Sequence, residues 1–346
     1  MKKQTKILAI LLASMLVLVS LGACSQNNAS PSSAAAQTPA GEGAETAEPY
    51  VIGIVQIIEH SALDAAYQGF VTALADNGYT DGNNIQLDFQ NAQGDTNNLS
   101  TICDRFVSRE VDMVLAIATD SAQAIAGKTT EIPILATAVT SFTVAGLVNS
   151  DEAPGGNVTG TSDMNPVAAQ IGLVQELVPD VKTIGLIYNS SEDNSVLQAN
   201  LAKEEITRLG LAVHEVTVTS TNDVQQAMQS LVTKCEAIYI PTDNTLASAM
   251  ATVHGVAGEA KIPTICGESN MVSGGGFATM GINYYDLGYK TGLMAIEIIN
   301  GADPATMSIQ YADQSDEVLI NGQVAEEIGI TIPEKYLDSV FMPDAE

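Results

Sequence analysis

One supersecondary pattern occurs twice in this chain at a nearly constant offset, and it dictates the fold class. Residues 51–57 form an apolar run rich in Val and Ile, as expected of a strand buried on both faces. Ser61 can cap a helix whose Leu63, Tyr67, Phe70, Val71 and Leu74 share one face, and Asn77-Gly78 stops it. Strands follow at 85–89, 113–117 and 132–137. Between them lie a helix marked by Leu99, Ile102, Cys103, Phe106 and Val107 and another at 121–128. The order then recurs, with strands at 183–188, 212–218, 237–240 and 262–266 and helices at 194–209, 222–233 and 245–259. Gly53 maps onto Gly185 and Gly78 onto Gly210, both with a shift of 132, and Ile132-Pro133 onto Ile262-Pro263 with a shift of 130. Two copies of one βαβαβαβ unit predict an α/β protein with two doubly wound, parallel-sheet lobes. One helix is left over at 286–299. Its Gly288 and Gly292, four apart, suit close helix–sheet contact. Strand-like pieces at 307–311 and 318–320 follow it.

The first 49 residues read as an address. Lys2, Lys3 and Lys6 precede an uncharged apolar run at 7–21, which is short for a membrane span of about 20 residues. Leu21-Gly22-Ala23-Cys24 resembles a bacterial lipobox. The expectation is a signal peptide at 1–23, lipidation of Cys24, and a disordered tether at 24–49 with no aromatic residue. Cleavage would leave 10 basic against 41 acidic residues, a balance of −31. Such a surface repels phosphate backbones and excludes nucleic acid as a partner. Beyond Cys24 three cysteines remain, so they cannot all pair. Buried free thiols are favoured over a Cys235–Cys266 bridge. His60, His214 and His254 have no partner at metal spacing, so neither a metal site nor a cofactor is expected.

No P-loop, nucleophile elbow, zinc-protease helix or EF-hand loop is present. What stands out is the polarity of the loops after the parallel strands, where doubly wound sheets bind ligands. In the first copy these loops carry Glu59, His60 and Ser61, then Thr119, Ser121 and Ala122, then Thr140 and Ser141. In the second they carry Asn189 and Asn194, then Asp243 and Asn244, then Glu268. Hydroxyls at a helix start suit a carboxylate, and Asp243 and Glu268 suit an ammonium. The same residue types also serve as plain helix caps.

Ala138-Val139-Thr140, Ala145-Gly146-Leu147-Val148 and Pro154-Gly155-Gly156-Asn157-Val158-Thr159-Gly160 together resemble a signature of one group of ABC-transporter substrate-binding proteins, those associated with tryptophan, tyrosine and other solutes. Ala118-Thr119, Ala122-Gln123 and the stretch from Gly276-Phe277 to Leu287-Gly288 add to the resemblance, which spans residues 50–340. It implies a type I periplasmic-binding-protein fold, with a first lobe at 50–160 and 282–306 and a second at 161–281 and 307–346. It also implies an extracytoplasmic receptor, anchored to the membrane, that closes on a small solute and serves a permease and an ATPase. An aromatic amino acid is the first choice of ligand, with Phe142, Tyr188, Tyr284 and Tyr285 as stacking partners and Asn283 beside them. Asp120-Ser121 and Ser141-Phe142 stand where relatives often carry Pro-Ala and Asp-Pro. Both departures fall at the expected site. A nucleoside or sugar receptor and a lipoprotein sensor input remain alternatives, with an extracytoplasmic enzyme behind them.

Overall fold

The computed structural model describes residues 48–312 and 318–343. The expected signal peptide, Cys24 and nearly all of the tether lie outside the described residues. The first copy of the repeat runs β1 (Tyr50–Gln56), α1 (Ser61–Asp76), β2 (Ile85–Asn91), α2 (Thr96–Ser108), β3 (Met113–Ile117), α3 (Thr119–Ala126), β4 (Ile134–Val139) and β5 (Val158–Ser162). The second runs α4 (Val167–Leu177), β6 (Thr183–Asn189), α5 (Asp193–Arg208), β7 (Ala212–Val218), α6 (Thr221–Leu231), β8 (Ala237–Ile240), α7 (Asn244–Ser248), α8 (Met250–Ala260), β9 (Thr264–Cys266), α9 (Ser269–Ser273) and β10 (Ala278–Met280). The chain ends with α10 (Tyr284–Ile299), β11 (Gln310–Tyr311), β12 (Val318–Asn321), α11 (Gly322–Ile328) and β13 (Val340–Phe341).

Two sheets result, ordered β2-β1-β3-β4-β5-β11 and β7-β6-β8-β9-β10-β12-β13. The matching order is the repeat made visible. Its glycines have matching jobs. A Cβ on Gly53 would meet the Phe106 ring of α2 at 2.9 Å, and one on Gly185 would meet Leu231 and Cys235 below α6 at 2.9 and 2.7 Å. Gly78 and Gly210 end α1 and α5 at φ +85° and +75°, where other side chains are strained. The first lobe has one core around Ile52, Phe70, Phe106 and Leu115. The second packs separate cores on the two faces of its sheet, around Tyr239 and Phe277 on one and Ile238 and Met228 on the other.

Several details depart from the sequence expectations. Tyr311 pairs with Ser162 in the first sheet, so residues 307–311 do not belong to the second lobe. Thr159 and Asp151 fix this segment by bonding to Met307 and Ile309. The chain is in the first sheet at Tyr311 and in the second from Val318. β12 runs antiparallel to β10, unlike the other paired strands. The helix expected at 245–259 breaks at Ala249 into α7 and α8. Gly288 and Gly292 do permit a close approach, but to helix α1 rather than to the sheet. A Cβ on Gly288 would lie 1.9 Å from the Ala66 carbonyl oxygen. Cys103, Cys235 and Cys266 are buried free thiols with no bridge between them. Burial pushes Cys103 and Cys235 up to about 11, which keeps them protonated.

Candidate binding cleft

The carboxyl ends of both parallel sheets face a common cleft, and three side-chain hydrogen bonds cross it. His60 Nε2 meets Asn244 Oδ1 at 3.2 Å, Gln123 donates to Asp193 at 2.8 Å, and Gln198 donates to Thr140 at 3.2 Å. The lobes are therefore closed. Between them is a cavity lined by His60, Leu63, Ala138 and Tyr284 of the first lobe and Asp163 of the first crossover. Asn194, Thr242, Asp243, Asn244, Ala247, Glu268 and Met271 of the second lobe complete it. With the lobes closed the cavity has a volume of about 10 Å³, room for about one water, so a solute needs the lobes to part.

Three of the lining side chains are buried carboxylates, and no Lys or Arg lines the cavity with them. Asp243 caps α7, accepting from Leu246 N at 2.8 Å, and ties it to β6 by accepting from Asn189 N at 2.6 Å. Glu268 caps α9, accepting from Asn270 N and Met271 N at 2.5 and 2.7 Å. Asp163 accepts from the hydroxyls of Thr140 and Tyr284 at 3.0 and 2.6 Å. Burial raises all three above the usual carboxylate range, Glu268 to about 8. The charge of Glu192 adds to the effect at Asp243, and that of Asp163 at Glu268.

Two further groups of polar atoms are buried without a protein partner, of which those on His60 and Asn194 belong to the cavity lining. One is a set of acceptors. Asn244 Nδ2 donates to Glu192 at 2.8 Å, which turns its Oδ1 toward His60. Burial lowers the His60 pKa, so the ring is neutral, and Nε2 carries the proton given to Asn244. Nδ1 is left as a bare acceptor, as are Asn194 Oδ1 and Gln56 Oε1. The other set is the hydroxyls of Thr119 and Ser121 at the N-terminus of α3. The backbone is strained at the same edge. Ala118 has φ 82° with ψ 159°, and Ala138 has φ 57°. Each costs on the order of 1–3 kcal/mol, a strain typical of functional sites.

A model of the ABC transporter substrate binding protein family matches residues 51–342. The chain belongs to this family. As an ABC transporter substrate-binding protein it works outside the cytoplasm. A tyrosine-binding protein of Clostridioides difficile is 42% identical over 93% of this chain and 91% of its own. A Streptococcus pneumoniae domain in complex with L-Trp is 38% identical over 86% of this chain and all of its own, with a TM-score of 0.82. A ligand-free, open substrate-binding protein with adhesive properties from Clostridium difficile is 43% identical over the same shares but reaches only 0.66. The more similar sequence gives the poorer superposition, as expected when lobe arrangement, not fold, is what differs. This family member matches the tryptophan complex.

The structure sorts the residues expected from sequence. His60, Asn194, Asp243, Asn244, Glu268 and Tyr284 line the cavity. Thr140 and Asn189 stand behind it, on Asp163 and on Glu192 with Thr245. Ala122 is buried within α3, and Ser141 bonds within its own turn. Glu59, Ser61 and Asn283 are exposed, and Asn283 caps α10. The expected stacking platform is reduced to Tyr284. Phe142 is fully buried in the first core, and the Tyr188 ring joins the second with its hydroxyl on Glu215. Tyr285 is 38% exposed. Ala138 and Thr242 join from the loops expected to face ligand, and Asp163, Leu63, Ala247 and Met271 join without a sequence expectation behind them. An Asp soon after the signature that ends at Gly160 is the one signal available for any of the last four.

Proposed function

We propose that this protein binds an L-aromatic amino acid between its lobes, presents it to an ABC permease and its ATPase, and is held to the membrane by lipid on Cys24. The observation that carries the ligand reading is the split of the buried polar groups. Carboxylates and bare acceptors line the cavity on Asp163, Asp243, Glu268, His60 and Asn194, while the free hydroxyls of Thr119 and Ser121 are buried at the start of α3, outside that lining. The first set suits an ammonium with its three donors, and the second suits a carboxylate. Tyr284, Leu63 and Met271 supply apolar surface for a ring. The tyrosine-binding relative and the tryptophan complex support the same ligand class. A solute enters as the lobes part and is retained by its better fit to the closed form, with no reaction of the protein's own.

Calorimetry with aromatic amino acids, branched aliphatic amino acids, nucleosides and sugars tests this. The chain contains no tryptophan, so indole emission in a complex belongs to the ligand. Heat with tyrosine or tryptophan and a blue shift of bound tryptophan are expected. Heat with nucleosides or sugars alone would overturn the amino-acid reading.

A further inference from the structure

Asp120 lies outside the cavity described above and belongs to none of its hydrogen-bond networks. It sits in the first turn of α3, in the first lobe, and lines the outer part of the cleft. The opposite wall is the start of α5 in the second lobe, with Glu192. Asp193 follows it and is joined to α3 by Gln123. Glu192 is fully engaged, taking hydrogen bonds from Asn189, Ser195, Asn244 and Thr245. Asp120 has no comparable support, and no Lys, Arg or His lines this part of the cleft. His60, the nearest ring on the first lobe, faces Glu192 and Asp64 rather than Asp120. Parting the lobes would return Asp120 to water and remove it from both second-lobe carboxylates.

We propose that closing the lobes takes up a proton at Asp120, so that acidity favours the closed receptor and alkalinity the open one. The sign follows from linkage. A carboxyl that is easier to protonate in one state stabilises that state as pH falls. In the closed form burial, then the charges of Glu192 and Asp193, push Asp120 up to about 7. Against an ordinary solvated Asp near about 3.9, the window of dependence runs from about pH 4 to 7 and levels off above that. The consequence is a receptor that holds its solute more firmly at an acidified cell surface and gives it up more readily at neutral pH.

The proposal rests on lobe motion but not on the identity of the solute. Labels on the exposed positions Thr101 and Gln226, introduced as Thr101→Cys and Gln226→Cys in a chain that also carries Cys24→Ser, report lobe separation by energy transfer while Cys103, Cys235 and Cys266 stay buried. The closed-to-open ratio of the ligand-free parent should fall about tenfold or more between pH 5 and 8, because one linked proton changes the ratio by a factor of about ten for each step of pH inside the window. With Asp120→Asn the ratio should be higher than the parent's at pH 8, and its fall over the same range should be smaller than the parent's by a factor of about ten or more, the slope that remains coming from the cavity carboxylates. Asp163, Asp243 and Glu268 titrate in both chains, so the difference isolates Asp120. A parent ratio that ignores pH, or that follows the same curve as Asp120→Asn, overturns the proposal. Repeating the series with L-tyrosine tests the ligand separately. No response to it at any pH would count against the amino-acid reading and leave the comparison of the two chains intact.

Discussion

Glu268 has two jobs that pull against each other. It caps α9 through two backbone N–H groups, and it holds a raised pKa in a cavity with no cationic side chain. Its folded value of about 8 lies above its solvated value, so the stability it contributes is complete below about pH 4 and is lost as pH rises through 8. Asp163 and Asp243 are shifted in the same direction. The ligand-free protein should therefore melt at progressively lower temperature from pH 5 to 8, and Glu268→Gln should flatten part of that slope. The amide offers one acceptor oxygen where the carboxyl group uses two, so it should also cost about 1 kcal/mol at pH 5. Removing a buried charge-assisted contact should weaken an amino-acid ligand by roughly 2–5 kcal/mol, well over tenfold. Melting curves and calorimetry on the two chains check both effects; an unchanged slope would remove Glu268 from the account. The carboxylates Asp243 and Glu268 are legible in sequence because they follow strands of the repeat. Asp163 is not, because it follows a strand that does not look like one. Sequence offers Phe142 and Tyr188 to the ligand because it shows that an aromatic is near a loop but not that its ring turns into the core.

β5 explains why some elements are hidden. Its Val-Thr-Gly-Thr-Ser carries one apolar side chain yet is wholly buried. Hydroxyls do what apolar side chains usually do there. Thr161 meets Thr137 and Thr291 at 3.0 and 2.7 Å, and Ser162 donates to the Thr140 carbonyl at 2.9 Å. Pattern reading looks for apolar periodicity and passes over such a strand. β10, β11 and β13, at two or three residues each, are too short to show any period. By contrast α1 and α10 declare themselves by their glycines. Gly69 and Gly288 let the two backbones touch, a Cβ at either position falling about 2 Å from a carbonyl oxygen of the other helix. Gly288→Ala should force the pair apart and cost about 1–3 kcal/mol or more. Gly172→Ala in α4, where nothing lies within 4 Å, should stabilise by about 0.4–1 kcal/mol. Denaturant melts of the two variants should move in opposite directions; equal shifts would mean that α1 and α10 do not need their close approach.

At the scale of the molecule, residues 48–312 and 318–343 supply the three cores and the cavity lining, and no helix among the described residues is long and apolar enough to cross a membrane. The proposed tie to the membrane is the lipid on Cys24. Cys24→Ser should free the protein from the cell surface, or leave it with its signal uncut, while ligand affinity stays within about twofold of the parent. A variant that is cut and still membrane-bound would refute lipidation. The threefold crossing of the chain between lobes bears on how such a protein is assembled. The first sheet waits for β11 at Tyr311, and its core waits for α10. The second sheet waits for β13 at Phe341. Neither sheet can complete itself on the ribosome before its last strand, β11 in the first and β13 in the second, has been made. The order of synthesis and the order of assembly thus differ, since segments made early in each lobe wait for partners made late.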